Sequence, residues 1–303
     1  MIPGSDTTHL TPVAGGHAGA WLRALRPAQW IKNGVLFAGV VFGGKLLDPP
    51  ALAQASLAFV IFCLVSSGFY LINDVVDRQA DLRHPIKRRR PVAAGEIPAT
   101  RALAVGILLV AGGLVCSFSL GAPFLLAVLT YVLLMTAYNL WLKRLVIVDV
   151  FTIAAGFVVR AAAGAIAVGV VISPWLLICT MLLALLVAFG KRRHELLTLP
   201  SAQHHRRNLE HYTPALLDQC VAITATGTLL AYALYTFDAE SAPQDHRLMI
   251  TIPFVAYGIF RYLFLLYRRG DGGAPESMLV ADRPLLLSLG AWAVVIGSLF
   301  YVS

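Results

Sequence analysis

Charge is what this sequence has least of: only 13% of its 303 residues are Asp, Glu, Lys or Arg, whereas 58% are hydrophobic. A water-soluble globule of this size needs about a quarter of its residues charged. With a mean hydropathy of +0.75, most of the chain cannot face water, which excludes a soluble enzyme and points to an integral membrane protein. Cysteine is scarce as well. Cys63, Cys116, Cys179 and Cys220 lie in or beside apolar runs and form no C-x-x-C pair, which argues against a disulfide framework and leaves reduced, packed thiols. The stretch before Trp21 has neither the basic nor the apolar part of a cleavable signal. Residues 1–25 therefore read as a polar, flexible segment ahead of a single membrane domain over 26–303.

Long apolar runs, by contrast, are abundant. A membrane-length window picks out nine of them, at roughly 30–47, 52–73, 101–119, 122–141, 146–168, 173–190, 216–237, 247–267 and 284–302. The expected fold is all-α, a polytopic membrane protein with nine transmembrane helices. An odd number of spans places the termini on opposite faces. Of the 24 basic residues, 20 fall in the segments on the amino-terminal side of the membrane, so that side is cytoplasmic by the positive-inside rule and the carboxy terminus is outside. The net charge of +8 thus describes one face and suits anionic headgroups. No soluble module is left to carry a nucleic acid.

The cytoplasmic loops after the second and sixth spans are the long ones, and chemistry is expected there, at a central cavity facing the cytoplasm. At the end of the second span stands Tyr70-Leu71-Ile72-Asn73-Asp74-Val75-Val76-Asp77-Arg78-Gln79-Ala80-Asp81. If the helix continues through it, Tyr70, Asn73, Asp74, Asp77 and Asp81 share one face. Carboxylates crowded where a helix leaves the bilayer repel one another unless a cation compensates. All the donors are hard oxygens, so the expected ion is Mg2+, or Mn2+, which keeps waters and substrate phosphate oxygens in its shell. Asn73, Asp74, Asp77 and Asp81 are the expected metal ligands, and Asp74, Asp77 and Asp81 the expected catalytic carboxylates. The basic run from Arg83 to Arg90 follows at once, and a metal site beside such a run suggests a polyphosphate substrate, with Lys87 and Arg90 reaching it.

The N-D-x-x-D-x-x-x-D pattern at Asn73 to Asp81, followed by R-P-x-x-x-G-x-I at Arg90 to Ile97 in a chain of nine apolar runs, resembles the UbiA superfamily of intramembrane prenyltransferases. Arg26-Pro27-Ala28-Gln29-Trp30-Ile31-Lys32-Asn33 and Tyr138-Asn139-Leu140-Trp141-Leu142-Lys143 look like the branch represented by decaprenyl-phosphate phosphoribosyltransferase. Ordinary members of the superfamily carry a second aspartate-rich motif after the sixth span. Here that stretch reads Phe189-Gly190-Lys191-Arg192-Arg193-His194-Glu195-Leu196, with one carboxylate. The departure favours an extra phosphate over a second metal, so Lys191 and Arg192 are expected to hold the 5-phosphate of phosphoribosyl diphosphate (PRPP).

Inside the fifth span, Arg160 is too costly to face lipid and is assigned to substrate phosphate. Asp149, about three turns earlier, is expected to orient Lys143 or Arg160. What the resemblance implies is transfer of 5-phosphoribosyl from PRPP to a polyprenyl phosphate in the cell membrane, a step towards lipid-linked arabinose donors for the cell wall. Lys32, Tyr70, Tyr138 and Lys143 join the substrate-binding set. The alternative is transfer of a prenyl group from a prenyl diphosphate to an aromatic acceptor. A homo-oligomer is compatible with the sequence, which sets no oligomeric state.

Overall fold

The computed structural model describes residues 17–171, 173–198, 207–238, 246–269, 272–273, 278 and 281–301. Among them there is no strand, and the architecture is an all-helical membrane bundle. Residues 1–16 lie outside the described part. Residues 17–25, within the segment expected to be flexible, form helix α1 (His17–Leu25), which buries Ala20 and Ala24 against Leu71, Val92, Ile97 and Ala102.

Eight helical segments are long and apolar enough to cross a membrane: Pro49–Val76, Ala99–Leu120, Ala122–Leu140, Val148–Ala167, Pro174–Thr198, Pro214–Phe237, Arg247–Arg268 and Arg283–Phe300. Their main helices are α3 (Pro49–Val76), α5 (Ala99–Ser117), α6 (Ala122–Leu140), α7 (Val148–Ala167), α8 (Pro174–Thr198), α9 (Pro214–Asp238), α10 (Ile252–Phe264) and α11 (Arg283–Tyr301). The short α4 (Arg78–Arg83) follows α3.

The first apolar run folds differently from the rest. Pro27–Phe37 is an 11-residue 3-10 helix that passes into α2, Ala38–Phe42, of 5 residues. At about 2.0 Å per 3-10 residue and about 1.5 Å per α residue, the pair rises about 30 Å, the thickness of a bilayer core. A 3-10 run this long is uncommon, and this one is tied to α3 by side-chain bonds. Asn33, 1% exposed, donates to Cys63 Sγ and Ser66 Oγ, each at 3.3 Å. The backbone also presses against α7, where a Cβ on Gly164 would stand 2.0 Å from the Leu36 carbonyl oxygen. Any larger residue at 164 would lever the segment off.

Helix α7 is central. It packs on the 3-10 segment, α2, α3, α6 and α8, and its small residues Ala154, Gly156, Ala161, Ala163, Gly164 and Ala165 are buried. Small residues allow close helix approach in lipid, where no hydrophobic force drives helices together. One apolar cluster joins Leu36, Phe62, Phe124, Tyr131 and Ala163 on one side of α7. A second joins Val150, Leu185, Leu217, Ile259 and Tyr262 on the other. Polar side chains collect where α3, α6 and α8 end and α5, α7 and α9 begin.

Candidate active site

Helix α3 stops at Val76, and Asp77 takes φ −89° and ψ 4° before α4 begins. The bonds Asp77 N–H to Asn73 O and Asp81 N–H to Asp77 O, both 2.8 Å, carry the helical register across this break. The helix expected through residue 81 is thus interrupted, yet its shared face is kept.

Each aspartate of that face has a cationic partner. Asp74, 1% exposed, accepts bonds from Arg26 and, at 3.1 Å, from Arg90. The same Arg90 nitrogen donates to Asp81 Oδ2 at 2.7 Å. Lys143 Nζ donates to Asp77 Oδ1 at 2.8 Å. Arg26 also lies over the Tyr70 ring, 4.9 Å from its centroid. Lys87 is half-buried in the loop, where its N–H donates to His84 Nδ1 at 3.3 Å. The structure therefore brings Tyr70, Asn73, Asp74, Asp77, Asp81, Arg90 and Lys143 to one place, held from three directions by the start of the 3-10 segment, the loop after α4 and the α6–α7 turn.

Among the described residues, no three His, Cys, Asp or Glu side chains converge into a ready-made cation cage. The donor chemistry nevertheless suits a hard divalent cation. Asp74 Oδ2 is buried and has no hydrogen-bond partner, an orphaned anionic oxygen that is costly to leave unpaired. Mg2+ usually takes only one or two protein carboxylates and completes its shell with water and phosphate.

The carboxylate expected to orient Lys143 or Arg160, Asp149, is held by an arginine of α8. Fully buried, it accepts from Arg192 Nε at 3.0 Å, while Arg192 Nη1 donates to Glu195 at 2.7 Å. The reason is the packing of α8 on α7: Asp149 sits at the start of α7, level with the end of α8, while Arg160 is three turns deeper. Arg192 is 2% exposed, so its guanidinium is held between two carboxylates of the chain. Arg193 pairs with Asp218 at 2.5 Å and stacks on Tyr267. Lys191 and Tyr138 are half-buried at the same end of the bundle, with Tyr138 in electrostatic reach of Arg192. Tyr212 completes this second cluster, and burial among its neighbours, aided by the Asp149 charge, pushes its hydroxyl up to about 12.

Arg160 forms a third group. Buried at 6% exposure, it donates to Asn33 Oδ1 at 2.8 Å, Gly156 O at 3.2 Å and Tyr131 Oη at 2.6 Å. All three partners are neutral, so the cation is hydrogen-bonded without a carboxylate to neutralise it. Its contacts are not with the aspartates.

Arg26 and Asn33 stand in the Arg26–Asn33 stretch that carries the resemblance but were given no site role, and Tyr131 and Tyr212 were not singled out by the sequence. Asn33 carried a signal, being a polar side chain inside an apolar run. Tyr131 and Tyr212 carried none, since their partners come from distant helices.

Phe157, whose ring lies 5.3 Å from the Arg160 guanidinium, also lines a cavity of about 480 Å³ walled largely by apolar residues such as Val35, Phe42, Leu183, Ile259 and Trp292, with half-buried Lys32 on its lining. An apolar chain ending in an anion fits that combination.

The comparisons with known proteins agree with this geometry. The chain is 34% identical to decaprenyl-phosphate phosphoribosyltransferase of Mycolicibacterium smegmatis, over 98% of this chain and 100% of that one. It is 32% identical to the protein of the same name from Corynebacterium glutamicum, over 94% of this chain and 88% of that one. A solved UbiA homolog from Archaeoglobus fulgidus, bound to GPP and Mg2+, has the same fold with a TM-score of 0.73 at 20% identity, covering 93% of this chain and 99% of that one. The profile described as the UbiA prenyltransferase family matches residues 34–289, and the chain belongs to that family.

Proposed function

We propose that this protein transfers the 5-phosphoribosyl group of PRPP to a polyprenyl phosphate, decaprenyl phosphate in the first instance, and releases diphosphate. The observation that carries the reading is near-full-length similarity, at 32 and 34% identity, to relatives that bear the name of this activity. The second polar cluster bears on it through Lys191, which stands at the same end of the bundle, whereas Arg192 is held by Asp149 and Glu195 and Arg193 by Asp218.

The bond from the anomeric carbon to the diphosphate breaks, and its electron pair leaves with diphosphate. The new bond forms from an oxygen of the acceptor phosphate, which is already anionic, so no base has to remove a proton. In-line displacement inverts the anomeric centre, giving a β-linked product from the α donor. Asn73, Asp74, Asp77 and Asp81 would hold Mg2+ or Mn2+, which when bound supplies charge neutralisation at the leaving diphosphate. Lys87, Arg90 and Lys143 position the donor at the aspartates, and Lys191 meets its distal phosphate, while Arg192, buried between Asp149 and Glu195, fixes the end of α8 on α7. Arg160 places an unneutralised positive charge below the site, which lowers the repulsion between two anionic substrates. Lys32 meets the acceptor phosphate, while the isoprenoid tail occupies the apolar cavity, because removing such a chain from an apolar environment costs about 0.8 kcal/mol per methylene.

The protein resides in the cell membrane with its amino terminus and active site on the cytoplasmic side and its carboxy terminus outside, where it supplies an early lipid-linked intermediate for cell-wall arabinan. In purified protein reconstituted in nanodiscs, diphosphate release should require both PRPP and polyprenyl phosphate. Release with neither lipid nor metal added would count against the reading.

A further inference from the structure

The turn that leads into α7 is strained, and its strain has an identifiable restraint. Ile147 has φ +68° and ψ −47°, and the N–H of Val148 bonds back to the carbonyl of Val146 at 2.7 Å. These are the features of the rare γ-turn with positive central φ, a strained conformation. For a β-branched residue a positive φ is an outlier, and such outliers persist only where the surroundings enforce them. Ile147 gains nothing obvious from its side chain, which is 42% exposed.

Its backbone, however, is held. The Ile147 N–H donates to the Tyr212 hydroxyl oxygen at 2.7 Å, and that hydroxyl donates onward to Asp149 Oδ1 at 3.4 Å. Asp149 is fixed in turn by Arg192 at 3.0 Å. Tyr212 is 4% exposed and its ring is packed in the cluster of Val150, Leu185, Leu209 and Leu217, so the hydroxyl has little freedom to move. Four residues before Ile147, in the same turn, Lys143 reaches across to Asp77 at 2.8 Å. A hydroxyl from one cytoplasmic loop thus restrains the segment that delivers a lysine to the aspartate face.

We propose that Tyr212 is a positioning residue, whose hydroxyl latches the strained γ-turn at Ile147 and so aims Lys143 at Asp77. The inference rests on the proposed function only for its activity readout, and the latch itself is a structural claim about this turn. Removing the hydroxyl leaves the Ile147 N–H without its acceptor and the strain without its restraint, and Lys143 then leaves Asp77 for part of the time.

The test uses Tyr212→Phe, Ile147→Gly and the double variant in nanodiscs without metal or substrate. The rate at which Lys143 reacts with an amine-specific reagent is followed by mass spectrometry. Tyr212→Phe should raise that rate roughly tenfold, the change corresponding to an unsatisfied buried donor. Glycine adopts positive φ without steric cost, so Ile147→Gly alone should label like the wild type, and the double variant should return to within about twofold of it. Wild-type labelling of Tyr212→Phe overturns the proposal. Equally fast labelling of Tyr212→Phe and the double variant also overturns it, because strain at Ile147 would then not be what the hydroxyl restrains. In the transfer assay with PRPP, Tyr212→Phe should raise the donor KM and leave the acceptor KM unchanged, with the double variant rescuing it. Absence of any phosphoribosyl transfer by the wild type would refute the proposed function, while the labelling arm would still decide the latch.

Discussion

Replacing Asp74 with Asn separates a metal-binding aspartate from one that merely pairs with arginines. Its Oδ1 receives Arg26 and Arg90, whose side chains remain 23% and 24% exposed, and Oδ2 has no partner. An Asn side chain can turn its carbonyl oxygen towards both guanidiniums and its amide into the position of Oδ2, so the packing is preserved. Two charge-assisted bonds become charged-to-neutral ones at about 1 kcal/mol each, roughly 2 kcal/mol in total, since both arginines retain some water. The thermal midpoint should fall by only a few degrees. Catalysis should respond far more strongly, because Asp74 Oδ2 is a buried carboxylate oxygen that no hydrogen bond satisfies. A loss of at least about a hundredfold in turnover is expected, the scale of removing one charge-stabilising group. The Mg2+ concentration for half-maximal rate should rise as well. Both quantities can be read on one nanodisc preparation, by intrinsic fluorescence on heating and by metal titration of diphosphate release. An unchanged metal titration, with activity falling only as far as stability does, would mean that Asp74 is a structural counter-ion.

Arg160→Lys should lose at least two of the three bonds to Asn33, Gly156 and Tyr131, at about 1 kcal/mol each, with a matching drop in thermal midpoint; an unchanged midpoint would show that this buried group adds nothing. Gly164→Val should displace the 3-10 segment from α7, because its Cβ would start 2.0 Å from the Leu36 carbonyl oxygen, and the variant should fail to yield folded protein in detergent chromatography. Cysteines introduced at Arg88 and Ser119, in a background lacking Cys116, should react with an impermeant reagent from the cytoplasmic and external sides respectively, and the reverse pattern would invert the topology. Tyr212, raised from about 10 to about 12, adds stability that is full below pH 10 and is lost as pH rises towards 12. The stability gap between wild type and Tyr212→Phe should therefore be constant at neutral pH and shrink across that alkaline window; a gap that already changes between pH 6 and 9 would contradict the assignment.

How much was legible in the sequence follows the range of each interaction. Membrane helices read well because length and apolarity are local and lipid forbids unpaired backbone, so eight of the nine apolar runs map onto membrane-length helices. The first run, 30–47, is apolar too, yet it begins in a 3-10 segment whose Asn33 meets Cys63, Ser66 and Arg160, contacts that composition cannot foresee. The aspartate face was legible because its residues recur at helical spacing on one element. Their partners were only partly so: Arg90 and Lys143 were picked out by type, but Arg26 joins Asp74 from 48 residues away. Asp149 shows the limit most plainly. Spacing along α7 pointed to Arg160, whereas the packing of α8 supplied Arg192 instead. Ile147 has no signature at all, since nothing in its type announces a positive φ.

The central claim, that the group transferred is phosphoribosyl and not prenyl, is tested most directly by donor choice. Purified protein in nanodiscs is given Mg2+ with either ribose-labelled PRPP and polyprenyl phosphate, or labelled prenyl diphosphate and an aromatic acceptor. The account predicts label in a lipid-extractable phosphoribosyl product from the first pair and none from the second. Prenylated aromatic product, with no label moving from PRPP, would contradict it.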